Sequence, residues 1–165
     1  MTMQSTPDAE LVPVTLRVNG RDCELEIDPR YTLADVLRDQ LRLTGLHLGC
    51  EQGVCGACMV NMDGEPALSC MTLAVEAQGA EIRTIEAVSK NAGALGRLER
   101  AFIEQGAFQC GYCTPGVLVV AHHIVDHGLA TSPERVKDLL SGNVCRCTGY
   151  EPIVQAIMSV AQEKL

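Results

Sequence analysis

The sequence predicts an α+β fold in two parts, a small β-sheet domain with one helix followed by a helical domain. Three observations lead to this prediction. Apolar and polar residues alternate on both sides of Asn19-Gly20, as in a β-hairpin. After about residue 95 the apolar spacing becomes helical, and prolines stand where helices begin. Eight of the nine cysteines form two groups of four, one group in each part.

Composition and charge exclude several classes of protein. The 165 residues carry a formal net charge of −8, which argues against binding to nucleic-acid phosphates. No run of 18 apolar residues exists, so we expect no membrane span. The beginning of the chain lacks the basic and apolar regions of a signal peptide, which predicts a cytoplasmic protein. In that compartment cysteines bind metals more often than they form disulfides.

The first elements are a hairpin and a helix. Apolar residues alternate with polar ones in 12–18 and again in 23–27, and Asn-Gly between the two segments favours a tight turn. Thr32 is a good helix cap, with Asp35 three residues later. We expect this helix to end at Gly45. Its apolar face comprises Leu33, Val36, Leu37 and Leu41.

Two short strands and a turn complete the first part. The apolar stretch 59–62 predicts one strand, Asp63-Gly64 a turn, and 82–85 a final strand.

The second part contains four predicted helices. Leu95, Leu98 and Phe102 share one helical face. Thr114-Pro115 is interpreted as a cap and first turn of a helix that runs to about Gly128. Further helices begin at Ser132-Pro133 and at Pro152. Four helices in about 70 residues predict a small four-helix bundle.

These elements give the domain limits. We expect a polar tail at 1–10, the sheet domain at 11–86, a linker at 87–94 and the helical domain at 95–165.

The first cysteine group has the more diagnostic spacing. Cys50, Cys55, Cys58 and Cys70 read C-x4-C-x2-C followed later by a fourth cysteine, the pattern of a plant-type [2Fe–2S] ferredoxin. The loop is rich in glycine, which lets backbone N–H groups approach an anionic cluster closely. A structural zinc site is the alternative, but it usually shows two short cysteine pairs. The spacing therefore predicts a [2Fe–2S] cluster in the sheet domain.

The second group is less specific by spacing alone. Cys110 and Cys113 form C-x2-C, and Cys145 and Cys147 form C-x-C with Arg146 between them. Both pairs lie at predicted helix ends and are expected to meet there. Ligands one residue apart favour a compact cluster, while zinc stays open as an alternative. Arg146 either offsets the charge of the cluster or points to solvent.

Three segments carry a specific resemblance. Residues 49–58 (GCEQGVCGAC), 109–116 (QCGYCTPG) and 142–150 (GNVCRCTGY) resemble the small iron–sulfur subunit of molybdenum hydroxylases. This family comprises xanthine oxidase, aldehyde oxidoreductase and aerobic carbon monoxide dehydrogenase. The resemblance extends from about residue 12 to 164.

The resemblance implies an electron-transfer subunit without bond chemistry of its own. It implies a ferredoxin-like first domain with a β-grasp fold and a four-helix second domain, each with one [2Fe–2S] cluster. It also implies a large subunit with a molybdenum cofactor of the molybdopterin cytosine dinucleotide type, and a medium subunit with FAD. By the same likeness, Gln109 and Cys147 lie against the pterin, and electrons pass from molybdenum through the helical-domain cluster and the ferredoxin-like cluster to FAD. The substrate that the resemblance implies for the whole enzyme is a heteroaromatic compound, an aldehyde or carbon monoxide. The expected assembly is a dimer of heterotrimers.

Two other functions stay open at this point. One is a free ferredoxin-like carrier with two clusters, although a carrier does not need the helical domain. The other is a zinc-stabilised interaction module.

A few remaining residues have simpler interpretations. Cys23 falls on the apolar side of its strand and is expected to be a small buried residue. His123 and His127 are four residues apart on one helix face, and without a third ligand we interpret them as a surface pair. His47, next to the first loop, is interpreted as structural.

Overall fold

The computed structural model describes residues 10–88 and 95–163. Within them, the first part holds five strands: β1 (Val12–Val18), β2 (Arg21–Ile27), β3 (Met59–Met62), β4 (Glu65–Leu68) and β5 (Glu81–Arg83). The helices are α1 (Leu33–Asp35), α2 (Ile85–Val88), α3 (Arg97–Glu104), α4 (Thr114–Asp126), α5 (Pro133–Leu139) and α6 (Glu151–Gln162). The predicted α+β class with a sheet domain before a helical domain is confirmed.

The strands form one mixed sheet in the order β2-β1-β5-β3-β4. β1 and β2 are the predicted hairpin, and the Asn19-Gly20 turn has positive φ at both residues, as a tight hairpin turn requires. β1 is parallel to β5, while the other neighbours are antiparallel. The buried side chains of β1 and of α1 both belong to the first hydrophobic core.

The first helix begins as predicted but ends earlier. The Thr32 hydroxyl accepts from the N–H of Asp35, whose carboxylate accepts from the N–H of Thr32, forming a capping box. The helix continues as a π-helical segment, Val36–Gln40, and Arg42 then adopts positive φ. The prediction that Gly45 ends it is wrong. Gly45 instead permits a close contact, because a Cβ there would stand 2.7 Å from Cγ2 of Ile85.

The later strands differ from the predictions in two ways. The strand predicted at 82–85 is β5, which ends at Arg83 because Ile85 begins α2. β4 was missed because it contains Pro66, a residue tolerated only at a sheet edge.

The helical part has a core of its own. Its largest fully buried side chains are Phe102, Ile124, Leu140, Ile153 and Ile157. Four helices occupy residues 97–162, and the Ser132 hydroxyl accepts from the N–H of Arg135 as the expected cap.

Two details at these helix ends correct the sequence analysis. Leu95 precedes α3 and is half exposed, so it does not belong to the apolar face. Thr114 is the first residue of α4 rather than its cap, a position taken by Cys113.

The limits of the parts stay predictions where the structure does not describe the chain. The first nine residues of the predicted tail and residues 89–94 of the predicted linker lie outside the described ranges. Residues 87 and 88, placed in the linker, belong to α2, and Ile85 of this helix packs against the helical core.

Candidate iron–sulfur sites

Cys50 lies in a loop whose backbone donors surround its sulfur. Its Sγ accepts from the N–H groups of Gln52 at 3.4 Å, Val54 at 3.3 Å and Cys55 at 3.3 Å. These hydrogen bonds, to which that of Gln52 contributes most, lower the pKa of Cys50 to about 6. The loop is therefore shaped to hold a thiolate, which is the form that binds a metal.

Cys58 and Cys70 form the buried half of the same group. Cys58 precedes β3, and Cys70 lies in the short 3₁₀ turn after β4. Burial and then the hydrogen bond with Cys58 raise the pKa of Cys70 to about 11. A buried thiol with a raised pKa, such as Cys70, needs a nearby cation to hold it as thiolate.

The second group is assembled from two inter-helical segments. Cys110 and Cys113 lie between α3 and α4, and Cys145 and Cys147 lie between α5 and α6. The Sγ atoms of Cys110 and Cys147 are 3.6 Å apart, and both residues are exposed. The predicted meeting of the two pairs at helix ends is confirmed.

The other two thiols of this group differ in their preferred charge. Burial and a hydrogen bond with Cys145 raise the pKa of Cys113 to about 12. Burial opposes ionisation of Cys145, but hydrogen bonds from Thr148, Cys147 and Cys113, those of Thr148 first, together lower its pKa. The Thr148 hydroxyl is 3.1 Å from the Cys145 sulfur.

The thiols of each group therefore lie close enough to interact with one another. Cys50 is hydrogen-bonded to Cys55 and Cys58 to Cys70, while Cys113 neighbours Cys145 and Cys110 neighbours Cys147. A [2Fe–2S] cluster takes four thiolates, two for each iron, so both donor sets fit it.

The glycines of the first loop provide the room that a cluster loop requires. A Cβ on Gly49 would stand 3.0 Å from the sulfur of Cys55. Gly53 and Gly56 adopt positive φ, and a Cβ on Gly56 would overlap the carbonyl oxygen of Gly142 in the second cysteine segment. The backbones of the two cysteine segments are thus in direct contact.

Hydrogen bonds join the two sites at this contact, which we call the inner junction. The N–H of Val144 donates to the carbonyl oxygen of Cys55 at 2.9 Å. Asn143, only 2% exposed, donates through Nδ2 to the carbonyl oxygen of Gly56 at 3.1 Å. One residue of the first group is therefore hydrogen-bonded to the neighbour of Cys145.

Tyr150 holds the second segment from the other side. Its hydroxyl accepts from the N–H of Cys145 at 2.9 Å and donates to the carbonyl oxygen of Asn143 at 3.0 Å. Tyr150 adopts positive φ before α6. The sequence does not predict these roles of Asn143 and Tyr150, although both residues lie within the motif at 142–150.

The other residues singled out in the sequence lie at the surface or on an edge strand. Gln109 donates through Nε2 to the carbonyl oxygen of Cys147 at 3.1 Å, so this predicted cofactor-binding pair lies together on the surface. Arg146 is exposed. Cys23 faces the first core but stays only partly buried, because β2 is an edge strand.

The histidine pair contributes to the contact between the two parts. The rings of His123 and His127 lie 4.2 Å apart, and Nδ1 of His123 donates to the carbonyl oxygen of Gly64 in the β3–β4 turn. His123 is also 3.6 Å from the carboxylate of Glu65. The expected surface pair therefore includes one residue that packs against the sheet domain.

Comparison with known proteins matches each part of the chain to an iron–sulfur domain family. Residues 16–82 match the model of the 2Fe-2S iron-sulfur cluster binding domain, and residues 84–158 match that of the [2Fe-2S] binding domain. The chain is 51% identical to the caffeine dehydrogenase subunit gamma of Pseudomonas sp. (strain CBB1), with 90% of each chain covered. It is 46% identical to the nicotine 6-hydroxylase small subunit of Paenarthrobacter nicotinovorans, covering 94% of this chain and 93% of that subunit.

The fold agrees with these matches. A crystal structure of quinoline 2-oxidoreductase from Pseudomonas putida 86 superposes with a TM-score of 0.87 at 44% identity, covering 92% of this chain and 94% of that chain. The chain belongs to the molybdenum hydroxylase family. Within this family it is a small iron–sulfur subunit of an oxidoreductase, with two 2Fe-2S domains.

The helices of the described residues are too short or too polar to cross a membrane.

Proposed function

We propose that this molybdenum hydroxylase subunit relays electrons from a molybdenum cofactor in a large subunit to FAD in a medium subunit. Each bound [2Fe–2S] cluster supplies one-electron redox chemistry. The chain's contribution is to hold the clusters through eight thiolates: Cys50, Cys55, Cys58 and Cys70 in the ferredoxin-like, β-grasp part, and Cys110, Cys113, Cys145 and Cys147 in the helical part, a four-helix bundle.

The observation that carries this proposal is the inner junction. A relay requires two redox sites at short range, and the hydrogen bond from Val144 to Cys55 joins their binding segments directly. A zinc-stabilised module has no need for such a connection. The 3.6 Å separation of the Cys110 and Cys147 sulfurs fits two thiolates bound to one iron.

Exposed apolar side chains beside each site support partner subunits. Val54 and Met71, at the first site, are 64% and 61% exposed. Phe108 and Val144, at the second, are 40% and 47% exposed. Exposed apolar groups that cluster around a functional site mark docking surfaces. We assign the first surface to the medium FAD subunit and the second to the large molybdenum subunit.

The second surface also carries the proposed contact with the cofactor. Gln109 and Cys147 are both exposed there and are tied together by the 3.1 Å hydrogen bond. This arrangement supports placing both residues against the pterin of a molybdopterin cytosine dinucleotide.

The relatives suggest the substrate of the assembled enzyme. Caffeine, nicotine and quinoline, in the names of the three similar proteins, are nitrogen heteroaromatic compounds. We therefore favour a heteroaromatic substrate over an aldehyde or carbon monoxide. We further propose a dimer of heterotrimers in the cytoplasm, where the nine free cysteines would stay reduced.

The deciding experiment measures iron, acid-labile sulfide and zinc per chain, with low-temperature EPR of the dithionite-reduced protein. Four iron and four sulfide with two S = 1/2 signals are expected for two clusters. Zinc with a single EPR signal would refute the two-cluster relay. Size-exclusion chromatography of natively expressed protein tests the partners: co-elution with molybdenum and FAD supports the relay, and a chain that elutes alone indicates the free carrier.

A further inference from the structure

Two aromatic side chains form a second connection between the cysteine segments, on the solvent side. Nδ1 of His47 donates to the carbonyl oxygen of Tyr112 at 2.8 Å. The hydroxyl of Tyr112 donates to the carbonyl oxygen of Leu48 at 2.6 Å. The two rings stack with centroids 4.8 Å apart and an angle of 27° between their planes. We call this reciprocal arrangement the outer clasp.

The clasp acts next to the metal-binding residues of both sites. Leu48 precedes Cys50 by two residues, and Tyr112 directly precedes Cys113. Each segment supplies one side-chain donor and one backbone acceptor, so a movement of either segment breaks both hydrogen bonds. Tyr112 is 51% exposed, so burial of its ring does not account for its position.

The neighbouring backbone needs such a restraint. Gly111 adopts a φ of +79°, and nothing stands within 4 Å of where its Cβ would be. Gly49, on the other segment, is exposed. Glycine provides no side chain to fix the local conformation. The inner junction joins Cys55 to the neighbour of Cys145, whereas the clasp joins residues close in sequence to Cys50 and Cys113.

We propose that His47 and Tyr112 are positioning residues that fix the spacing between the two cluster-binding segments. This inference rests on the proposed relay, since spacing matters only when both sites hold clusters. The clasp sets how far apart the two clusters stand and how uniform that distance is. It does so without touching either thiolate group directly.

The size of the effect follows from the hydrogen bonds. Removing one donor removes the net stabilisation that a typical hydrogen bond gives to the closed clasp. The population of an opened segment then increases about fivefold. Opening changes the distance between the clusters, and the magnetic coupling of two reduced clusters depends steeply on that distance. The coupling therefore reports on spacing, independently of activity.

The experiment compares variants within the assembled complex. Tyr112→Phe keeps the ring but removes the hydroxyl donor. His47→Phe keeps a stacking ring but removes the Nδ1 donor, whereas His47→Asn can donate from a similar position without stacking. Tyr31→Phe is the matched control, because it removes a tyrosine hydroxyl from the sheet domain without changing the clasp. Each protein is fully reduced with dithionite and its EPR splitting from spin–spin coupling is measured.

We expect Tyr112→Phe and His47→Phe to retain four iron per chain while their splitting weakens or broadens relative to Tyr31→Phe. His47→Asn should restore most of the wild-type splitting. Unchanged splitting in both variants, even with a lower melting temperature, would reduce the clasp to a stabilising contact and overturn the inference. Loss of iron from either variant would also overturn it, because the residue would then serve cluster binding. Wild-type protein without two signals would instead refute the relay itself.

Discussion

Gly116, in the first turn of α4, allows a quantitative test of how closely the two parts are packed. A Cβ at this position would overlap the carbonyl oxygen of Gly56 and stand 3.2 Å from two backbone carbons of Ala57. These neighbours are backbone atoms and cannot rotate away. Gly116→Ala therefore forces either the helix or the first cysteine loop to move.

Two opposing contributions decide the sign of the effect. Alanine favours the helix over glycine by about 1 kcal/mol. Overpacking against a backbone costs about 1–3 kcal/mol. Displacing Gly56 also breaks its 3.1 Å hydrogen bond from the buried amide of Asn143, which costs about 1–3 kcal/mol more. The sum is a destabilisation of about 1–5 kcal/mol, and the middle of that range lowers the melting temperature by about 6–12 °C.

The assay follows thermal loss of the visible cluster absorption and of far-UV circular dichroism under anaerobic conditions. Gly142→Ala is the control, because the nearest atom to its Cβ would be Cε of Met59 at 3.9 Å, an ordinary contact. We expect Gly116→Ala to melt well below this control. If Gly116→Ala melts at or above the control, the gain in helix propensity exceeds the cost of overpacking. The inference that the backbones of the two parts are in close contact at Gly116 would then be refuted.

Three further predictions concern single residues. Cys147→Ser should remove the helical-domain cluster, so that iron falls to about half and substrate no longer reduces FAD at the normal rate. Cys23→Ala should keep full iron content with a small loss of stability, since its side chain is only partly buried. Arg30→Met should make acid unfolding begin at a higher pH. The Arg30 hydrogen bond lowers the pKa of Asp28 from 3.8 to about 2, so that stability exists above pH 3.8 and is lost as the pH falls towards 2.

For each of these three predictions, one experimental result would contradict it. Normal FAD reduction in Cys147→Ser would show that the wiring order or the ligand assignment is wrong. Iron loss in Cys23→Ala would mean that Cys23 belongs to a metal site. For Arg30→Met, followed by circular dichroism between pH 2 and pH 5, an onset equal to the wild type would show that the pair with Asp28 does not control acid stability.

The sequence predicted those features that depend on neighbouring residues. The Asn19-Gly20 turn, the Thr32 cap and the cysteine spacing are local patterns with direct physical causes, and the structure places them as expected. The end of the first helix was not predictable from Gly45. The helix continues beyond α1 as a π-helical segment and ends at Gln40, five residues before Gly45.

Long-range contacts account for the remaining differences. His47 and Tyr112 are 65 positions apart, and Asn143 lies 87 positions from Gly56. No local pattern indicates that such residues meet. A signal was nevertheless present for Asn143, which lies inside a cysteine motif without being a metal ligand.

The inner junction has a consequence for how freely the two halves can be exchanged. The two family matches divide the chain between residues 82 and 84, as if each half were an interchangeable module. Asn143 and Val144, however, bind the backbone of Gly56 and Cys55 in the other half. A chimera that joins halves from two relatives must therefore reproduce this backbone fit. Substitutions at the inner junction in one half would require compensating substitutions in the other half.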